Sequence, residues 1–185
     1  LAEDLRADAV SAVRQLRGLG LDIWILSGDR AQSVHRVAHW VGVNVAQAVG
    51  ECTPQDKLDR VRALHQQGKR VMMVGDGLND GPVLAAAEVS IALGAAAPLA
   101  QARSDLVMMG AQLLTLPTLI RRARLTLRVV GQNLAWALFY NALFVPLALL
   151  AWLPAWLAGL GMAVSSLWVI AHSMRLTRPL RGEQA

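Results

Sequence analysis

Two carboxylates four residues apart, Asp76 and Asp80, stand in the string VMMVGDGLNDGPVL that occupies residues 71–84. VMMV reads as a buried strand, so Asp76 leaves a strand tip while Asn79 and Asp80 open the helix that follows. Glycines 75 and 77 let the backbone approach a ligand closely. Carboxylate oxygens are hard donors suited to Mg²⁺, which keeps several of its waters and shares phosphate oxygens. The chemistry this spacing points to is phosphate handling with magnesium. A bare Gly-Asp-Gly would read as a tight strand-to-helix turn, with Asp80 as an N-terminal helix charge; the full string is more specific. A second polar turn, Ser27-Gly28-Asp29, ends another short apolar run, and Lys57 follows Thr53-Pro54 between the two turns.

The elements that must position these groups alternate between helix and strand. Residues 3–18 carry Leu5, Ala9, Val10, Val13 and Leu16 at helical spacing, ended by Gly18 and Gly20. The apolar run 21–26 predicts a strand, and residues 30–41 a helix stopped by Gly42. Thr53 caps a helix with Pro54 at its first position, running to about Gln67. A strand over 70–74, a helix over 79–87 and strands over 89–93 and 106–109 follow. Such alternation predicts an α/β fold, a partial Rossmann-like parallel sheet flanked by helices. Both Gly-Asp turns then fall at strand C-termini, where parallel sheets collect their ligands.

Charge and hydropathy divide the chain. Residues 1–119 carry 11 Lys/Arg against 12 Asp/Glu, whereas residues 120–185 carry 7 Arg against the single acid Glu183. The formal charge of +5 thus belongs to one end, which excludes a chain-wide basic face and with it a nucleic-acid partner. Between Arg128 and Arg175 lie 46 residues without an Asp, Glu, Lys or Arg. Residues 119–130 form a basic amphipathic helix, and 133–153 and 155–174 are each about 20 residues, enough to cross ~30 Å of hydrocarbon. Pro154 marks the turn between them, with Trp152 and Trp156 at the interface. Arg121, Arg122, Arg124 and Arg128 precede the first span; Arg175, Arg178 and Arg181 follow the second, so both basic flanks fall on one side. The expected organisation is a soluble domain over 1–112, a linker helix over 113–132, a membrane hairpin over 133–174 and a basic tail over 175–185. The chain opens on Leu within a helical pattern, which predicts a piece of something longer. No signal peptide is expected from its charged first residues.

The string GDGLND-G-P resembles the hinge motif GDGxNDxP of the P-type ATPases, members of the haloacid dehalogenase-like superfamily. Ser27-Gly28-Asp29 resembles that superfamily's second motif, normally Thr-Gly-Asp, with Ser keeping the hydroxyl. Thr53-Pro54-Gln55-Asp56-Lys57 resembles the segment bearing its invariant lysine. The resemblance implies that Ser27 and Gly28 donate hydrogen bonds to a phosphoryl group, that Asp29 completes this motif, and that Lys57 neutralises charge. It further implies that Asp76 coordinates Mg²⁺, with Asp80 beside it, while Asn79 and Asp80 hold the site in shape. Phosphoryl transfer is catalysed mainly by such positioning and neutralisation. The family's nucleophile, the Asp of Asp-Lys-Thr-Gly-Thr, is absent from these 185 residues. Hence the chain alone is expected to form no aspartyl-phosphate from ATP. The implied partners are the nucleotide-binding domain, the actuator domain and other membrane helices of a pump, together with lipid and a copper chaperone.

In the hairpin, Asn133, Tyr140, Asn141 and Pro146 stand as N-x₆-YN-x₄-P, and Met162, Ser165 and Ser166 as MxxSS. These resemble the last two membrane helices of the Cu⁺-transporting, heavy-metal subgroup, where Tyr, Asn, Met and Ser join a Cys-Pro-Cys that this chain lacks. Tyr140, Asn141, Met162 and Ser165 are the metal ligands this implies. Independently, Cu⁺ is soft and takes thiolate or thioether donors, which suits Met162. A Zn²⁺ or alkali-cation pump would place Asp, Glu or Lys inside the bilayer, and this hairpin has none. Taken singly, each of these residues reads as helix packing; an intramembrane Asn is harder to dismiss because it needs a partner. His172 stands where that subgroup usually has Asn.

Elsewhere, His35 and His39 at i, i+4 read as an exposed helix face, and the single Cys52 as a small, unreactive hydrophobe. The arginines at 121–128 read as snorkelling to lipid phosphates. The resulting expectation is a part of an ATP-driven Cu⁺ pump in the cell (inner or plasma) membrane, with soluble domain and C-terminus cytoplasmic. The rival is a truncated, non-catalytic membrane protein that binds metal or a partner pump.

Overall fold

The computed structural model describes residues 6–75, 80–93, 102, 104–110 and 112–177. They divide into two units, 1–116 and 117–185.

In the first unit the order is α1 (Ala9–Gly18), β1 (Ile25–Leu26), α2 (Ala31–Val41), β2 (Ala48–Val49), α3 (Pro54–Gln66), β3 (Met72–Gly75), α4 (Gly81–Ala86), β4 (Val89–Leu93) and β5 (Leu106–Met108). All strand pairs are parallel, in two ladders: β1 with β2, and β3-β4-β5 in that order. The helices supply the connections that parallel pairing requires. Ala9 of α1 and Val34, Ala38 and Val41 of α2 bury against Val43 and Ala48, with Val13, Ile23, Ile25 and Leu113 packed alongside. Around β3 and β4, Leu84 and Ala92 close a second cluster with Met73. These two patches hold the strand ends in place.

Local chemistry explains most boundaries. Gly42 ends α2 in the left-handed region, at φ 80°. Thr53 Oγ1 accepts the Asp56 N–H while the Asp56 carboxylate accepts the Thr53 N–H, a capping box with Pro54 just inside it. The run 21–26, expected as one strand, pairs only over Ile25 and Leu26. Its partner β2 is two residues long because Val45–Gln47 forms a 3₁₀ turn capped by the Asn44 side chain. A strand is no longer than the partner that satisfies its backbone.

Carboxylates that accept backbone N–H groups tie the strands together. Ser90 donates its N–H and its hydroxyl to Asp105 Oδ2, each at 2.8 Å, joining the start of β4 to the approach to β5. Glu88 accepts the Val71 N–H at 2.7 Å and lies 2.9 Å from His65 Nε2. Hydrogen bonds from Ser90 hold Asp105 below the usual carboxylate range, the Val71 N–H does the same for Glu88, and Thr53 for Asp56. Each folded pKa lies below its unfolded value, so each contribution is present above the unfolded pKa and is lost as pH falls through the folded one. The unit is therefore expected to lose thermal stability progressively below about pH 4. Asp105→Asn should flatten that acid limb; a melting temperature independent of pH between 5 and 2.5 would contradict this.

The second unit is a helical hairpin. The helix here called α5 (Thr115–Leu149) is continuous for 35 residues, about 52 Å at 1.5 Å per residue. The basic linker and the first span, distinct in composition, are thus one element. The chain turns at Ala151, which adopts φ 57°. The Trp152 N–H returns to the Leu147 carbonyl at 3.1 Å, a left-handed helix stop made without glycine. Pro154 precedes α6 (Ala155–Ser173), and a 3₁₀ turn, Met174–Thr177, follows it. Both helices are long and apolar enough to cross a membrane.

Candidate functional site

The loop after β1 is held by its neighbours rather than by its own helix. The Ser27 N–H donates to the Val49 carbonyl at 3.0 Å, and the Ser27 carbonyl accepts the Cys52 N–H at 2.9 Å. Ser27 Oγ donates to Asp29 Oδ2 at 2.7 Å and accepts the Asp29 N–H at 3.2 Å. The Asp29 carbonyl accepts the N–H of Glu51, which sits at φ 56°. Gly28 and Asp29 are exposed and Ser27 half-buried, so the turn faces a ligand-accessible end of the sheet.

Gly50 makes this geometry possible. A Cβ there would lie 2.6 Å from Ala31 Cα and 2.9 Å from the Asp29 carbonyl oxygen, both backbone atoms that cannot swing aside. Gly50→Ala is expected to cost about 1–3 kcal/mol through this overpacking and to disturb the 27–29 turn. Unchanged stability in a denaturant titration would show that the two backbones separate freely.

From Cys52 the chain enters Thr53 and α3, whose capping box sets the register that brings Lys57 round one turn later. Lys57 Nζ donates to Asp80 Oδ1 at 2.8 Å, with side-chain exposures of 15% and 9%. Asp80 immediately precedes α4 but makes no capping bond with its side chain. The other Asp80 oxygen lies 3.0 Å from where a Cβ on Gly75 would be, so the carboxylate rests on the tip of β3. The simple role of an N-terminal helix charge is thereby displaced by an ion pair. Lys57 and Asp80, 23 residues apart, meet in this ion pair, while the 27–29 turn is tied to Cys52 at the entry to α3. Asp76 and Asn79 lie outside the described residues.

A cleft of about 390 Å³ opens beside the 27–29 turn, lined by Leu26, Gly50, Cys52, Asp56, Asp59 and Arg60. The Arg60 guanidinium stacks over Trp24 at 4.7 Å, fixing one wall. Burial, then the neighbouring Asp56 carboxylate, pushes the Cys52 thiol up, in keeping with the unreactive residue expected. His35 and His39 are exposed on α2.

Along the hairpin, residues 132, 136 and 140 of α5 and 144 one turn on meet 161, 165, 168 and 172 of α6, spaced three or four residues apart on one face of each helix. Trp136 Nε1 donates to Ser165 Oγ at 3.1 Å, and Asn133 Nδ2 donates to Ser173 Oγ at 3.0 Å. Tyr140 stacks on Phe144 at 4.3 Å, and a Cβ on Gly161 would come within 2.9 Å of the Tyr140 hydroxyl. His172 Nε2 lies 2.9 Å from Gln132 Oε1, and its ring stacks on Trp168. Of the expected metal ligands, Tyr140 and Ser165 are on this seam, while Asn141 and Met162 (68% exposed) face away from it. The hairpin does not gather the four by itself. Gln132 and Trp136 escaped sequence reasoning; their i, i+4 spacing to Tyr140 was the available signal.

Residues 1–88 match the haloacid dehalogenase-like hydrolase family, in keeping with the parallel strands and flanking helices of the first unit. Nearly the whole chain is homologous to the P-type ATPases, a family of ATP-hydrolysing cation translocases. It is 34% identical over 178 residues to a copper-exporting P-type ATPase of Staphylococcus epidermidis (strain ATCC 35984), an alignment that takes in 96% of this chain and 22% of that one. The Staphylococcus aureus (strain JH9) copper-exporting P-type ATPase is 35% identical over the same length and coverage. The chain thus spans about a fifth of the length of these curated relatives. Among solved structures, a zinc-transporting PIB-type ATPase in the E2.Pi state superposes with a TM-score of 0.86 at 33% identity, covering 94% of this chain and 28% of that one. The catalytic domain of a CPx-ATPase superposes with a TM-score of 0.58 at 31% identity, over 62% of this chain and 45% of that one. The region matched is the C-terminal one of the PIB-type pump. Homology and the two apolar helices together make this a membrane protein.

Proposed function

We propose that this chain is the C-terminal part of a Cu⁺-translocating P-type ATPase, bearing most of the phosphorylation domain and the last two membrane helices. The observation that carries the reading is the buried Lys57–Asp80 pair, linked through α3 to the Ser27 turn. A basic nitrogen at the tip of β3, and a hydroxyl and exposed backbone after β1, are the group types that hold a phosphoryl group and neutralise its charge. In the intact pump that group sits on an Asp supplied by the rest of the protein. Gly28 donates its N–H to that group's oxygens, the Ser27 hydroxyl does so by turning its one hydrogen from the Asp29 carboxylate to the phosphoryl group, and Lys57 offsets the charge. Asp80 orients Lys57, and Asn79 with Asp80 would hold the site in shape.

The donors at this end are carboxylate and hydroxyl oxygens, a set that fits Mg²⁺ and not a soft metal. Asp76, with Asp80 beside it, would hold the ion, which supplies charge neutralisation at the transferred phosphoryl of ATP.

Two observations favour copper over zinc as cargo. Two curated staphylococcal relatives that match along nearly the whole chain are copper-exporting P-type ATPases. Residues 129–174 also hold no carboxylate, the donor that a harder ion would need. Met162, Tyr140, Asn141 and Ser165 would then contribute to a site completed by helices outside this chain. The outward aspect of Met162 and Asn141 is consistent with donors turned toward such helices. Partners on this reading are the nucleotide-binding and actuator domains, the remaining membrane helices, surrounding lipid and a copper chaperone. The soluble unit and C-terminus lie on the cytoplasmic side of the cell membrane, where the arginine flanks are favoured. Units 1–112, 113–132, 133–174 and 175–185 serve as phosphorylation segment, linker, hairpin and tail.

Met162→Ala tests the cargo site. Bound Cu⁺ in the pump should fall in stoichiometry or affinity; unaltered values for both would return Met162 to a packing role. The chain by itself should form no acid-stable, hydroxylamine-sensitive phosphoenzyme from radiolabelled ATP.

A further inference from the structure

The end of the hairpin that carries the basic flanks holds a feature that this reading does not use. A cavity of about 340 Å³ lies there between α5 and α6, lined by Gln132, Asn133, Trp136, Phe139, Trp168 and His172. The helices are clasped around it by the Gln132–His172 and Asn133–Ser173 contacts, and beyond it the Arg122 guanidinium donates to the Leu176 carbonyl at 3.3 Å. Polarity changes in the same order along both helices. On α5, Arg128 is followed after one turn by the amides of Gln132 and Asn133, and after another by the rings of Trp136 and Phe139. On α6, read against the chain direction, Arg175 is followed by His172 and then by Trp168. Charge, then amide and imidazole, then aromatic wall succeed one another over about 16 Å at 1.5 Å per residue. Arg128 and Arg175 are exposed and join no ion pair among the described residues. No carboxylate occurs between Asp105 and Glu183, so the hairpin has none of its own to offer them.

We propose that this cavity is a binding site for one anionic phospholipid, its phosphate held by Arg128 and Arg175 and its acyl chain laid against Trp136, Phe139 and Trp168. The order of the side chains matches the order of the ligand. A phosphodiester takes charge-assisted hydrogen bonds from guanidinium groups, which present several donors to its oxygens. Gln132 and Asn133 stand between charge and rings, where the glycerol esters fall, and their amides can donate to ester carbonyls. The aromatic faces then offer apolar area to the methylene groups, as rings at a membrane boundary do. Two unpaired cations favour a headgroup of net negative charge, whereas a choline lipid brings its own cation into the same field. A free phosphate ion would leave the aromatic wall unused, and an apolar helix would leave the two arginines unmatched. An anionic lipid uses both halves of the site. The inference needs the hairpin to lie in a membrane but no particular transported ion. Bound there, the lipid would brace α5 against α6 where charge gives way to hydrocarbon.

The test reconstitutes the full chain in nanodiscs of phosphatidylcholine with a minor share of phosphatidylglycerol and reads tryptophan quenching by dibrominated acyl chains. Brominated phosphatidylglycerol should quench more strongly than the same amount of brominated phosphatidylcholine. Arg128→Gln should weaken that preference about fivefold, and Arg128→Gln/Arg175→Gln about 30-fold. Arg121→Gln removes the same charge about 10 Å further along α5 and should change the preference less than about twofold. Ala135→Phe fills the cavity without altering charge and should abolish the preference. Circular dichroism confirms that the helices persist in each variant. Equal quenching by the two lipids in wild type would overturn the site. Equal losses in Arg121→Gln and Arg128→Gln would do so too, since they mean a diffuse basic surface. In a pump carrying this chain, with Phe139 replaced by benzoylphenylalanine, illumination should attach an anionic phospholipid, seen by mass spectrometry. A crosslink to another segment of the pump instead would give the cavity to a neighbouring helix; that result sinks this inference and leaves the pump reading standing.

Discussion

Replacing Lys57 with methionine is expected to lower the stability of the soluble unit by about 3–5 kcal/mol, the effect of stranding one charge of a buried pair. Both partners are nearly enclosed, at 15% and 9% exposure, so water does little to screen the stranded Asp80 carboxylate. The contact also spans 23 residues and fastens α3 to the tip of β3, so its loss loosens the sheet end that bears the turn chemistry. The double variant Lys57→Met/Asp80→Leu should recover much of the loss, because an apolar pair of similar volume is often neutral where a broken pair is not. That recovery would come without function: phosphoenzyme formation in the pump should stay absent, since the charge-neutralising nitrogen is gone. Denaturant titration of the three proteins separates the terms. A single variant within 1 kcal/mol of wild type would mean that water reaches Asp80 freely, and the pair would lose its place in the site.

The second large effect belongs to Asp76. In a pump carrying this chain, Asp76→Ala should reduce phosphoenzyme formation by at least about a hundredfold, the scale of losing one major electrostatic contact to the transferring group. Membrane insertion should be unaffected, because the change falls outside the hairpin. The residual phosphorylation of Asp76→Ala should need a higher Mg²⁺ concentration than wild type, whereas loss of a merely structural turn residue would leave that requirement unchanged. Unchanged turnover would remove Asp76 from the mechanism. The contrast between the two variants is informative: Lys57→Met acts on folding and chemistry together, Asp76→Ala on chemistry with little loss of stability.

Much of this was legible before any coordinates. The strings around Ser27 and Lys57 are short and local, and their turn and capping chemistry restricts the backbone strongly. Thr53 and Pro54 mark the start of α3 at the residue, and VSIAL is β4 over its whole length. What sequence alone missed depends on partners. The run 21–26 looks like a strand, yet its length is set by β2, which a 3₁₀ turn cuts to two residues. The basic linker and first span differ in charge, but a helical backbone is indifferent to that change, so α5 runs through both. In the hairpin, a long uncharged run says that helices are apolar without saying which face meets which. The polar seam Gln132–His172, Asn133–Ser173 and Trp136–Ser165 emerges only once the two helices are paired. The same pairing turns Asn141 and Met162 away from Tyr140 and Ser165, which the resemblance to copper pumps had grouped.

The choice of ion remains the most consequential part of the account, because the sequence relatives export copper while a superposing structure belongs to a zinc transporter. ATP-dependent metal uptake into inverted membrane vesicles carrying the whole pump, assayed with Cu⁺ and Zn²⁺ in parallel, addresses it most directly. The account predicts uptake of Cu⁺, lost on Met162→Ala and Asp76→Ala, with little accumulation of Zn²⁺. Robust Zn²⁺ uptake with none of Cu⁺ would contradict it.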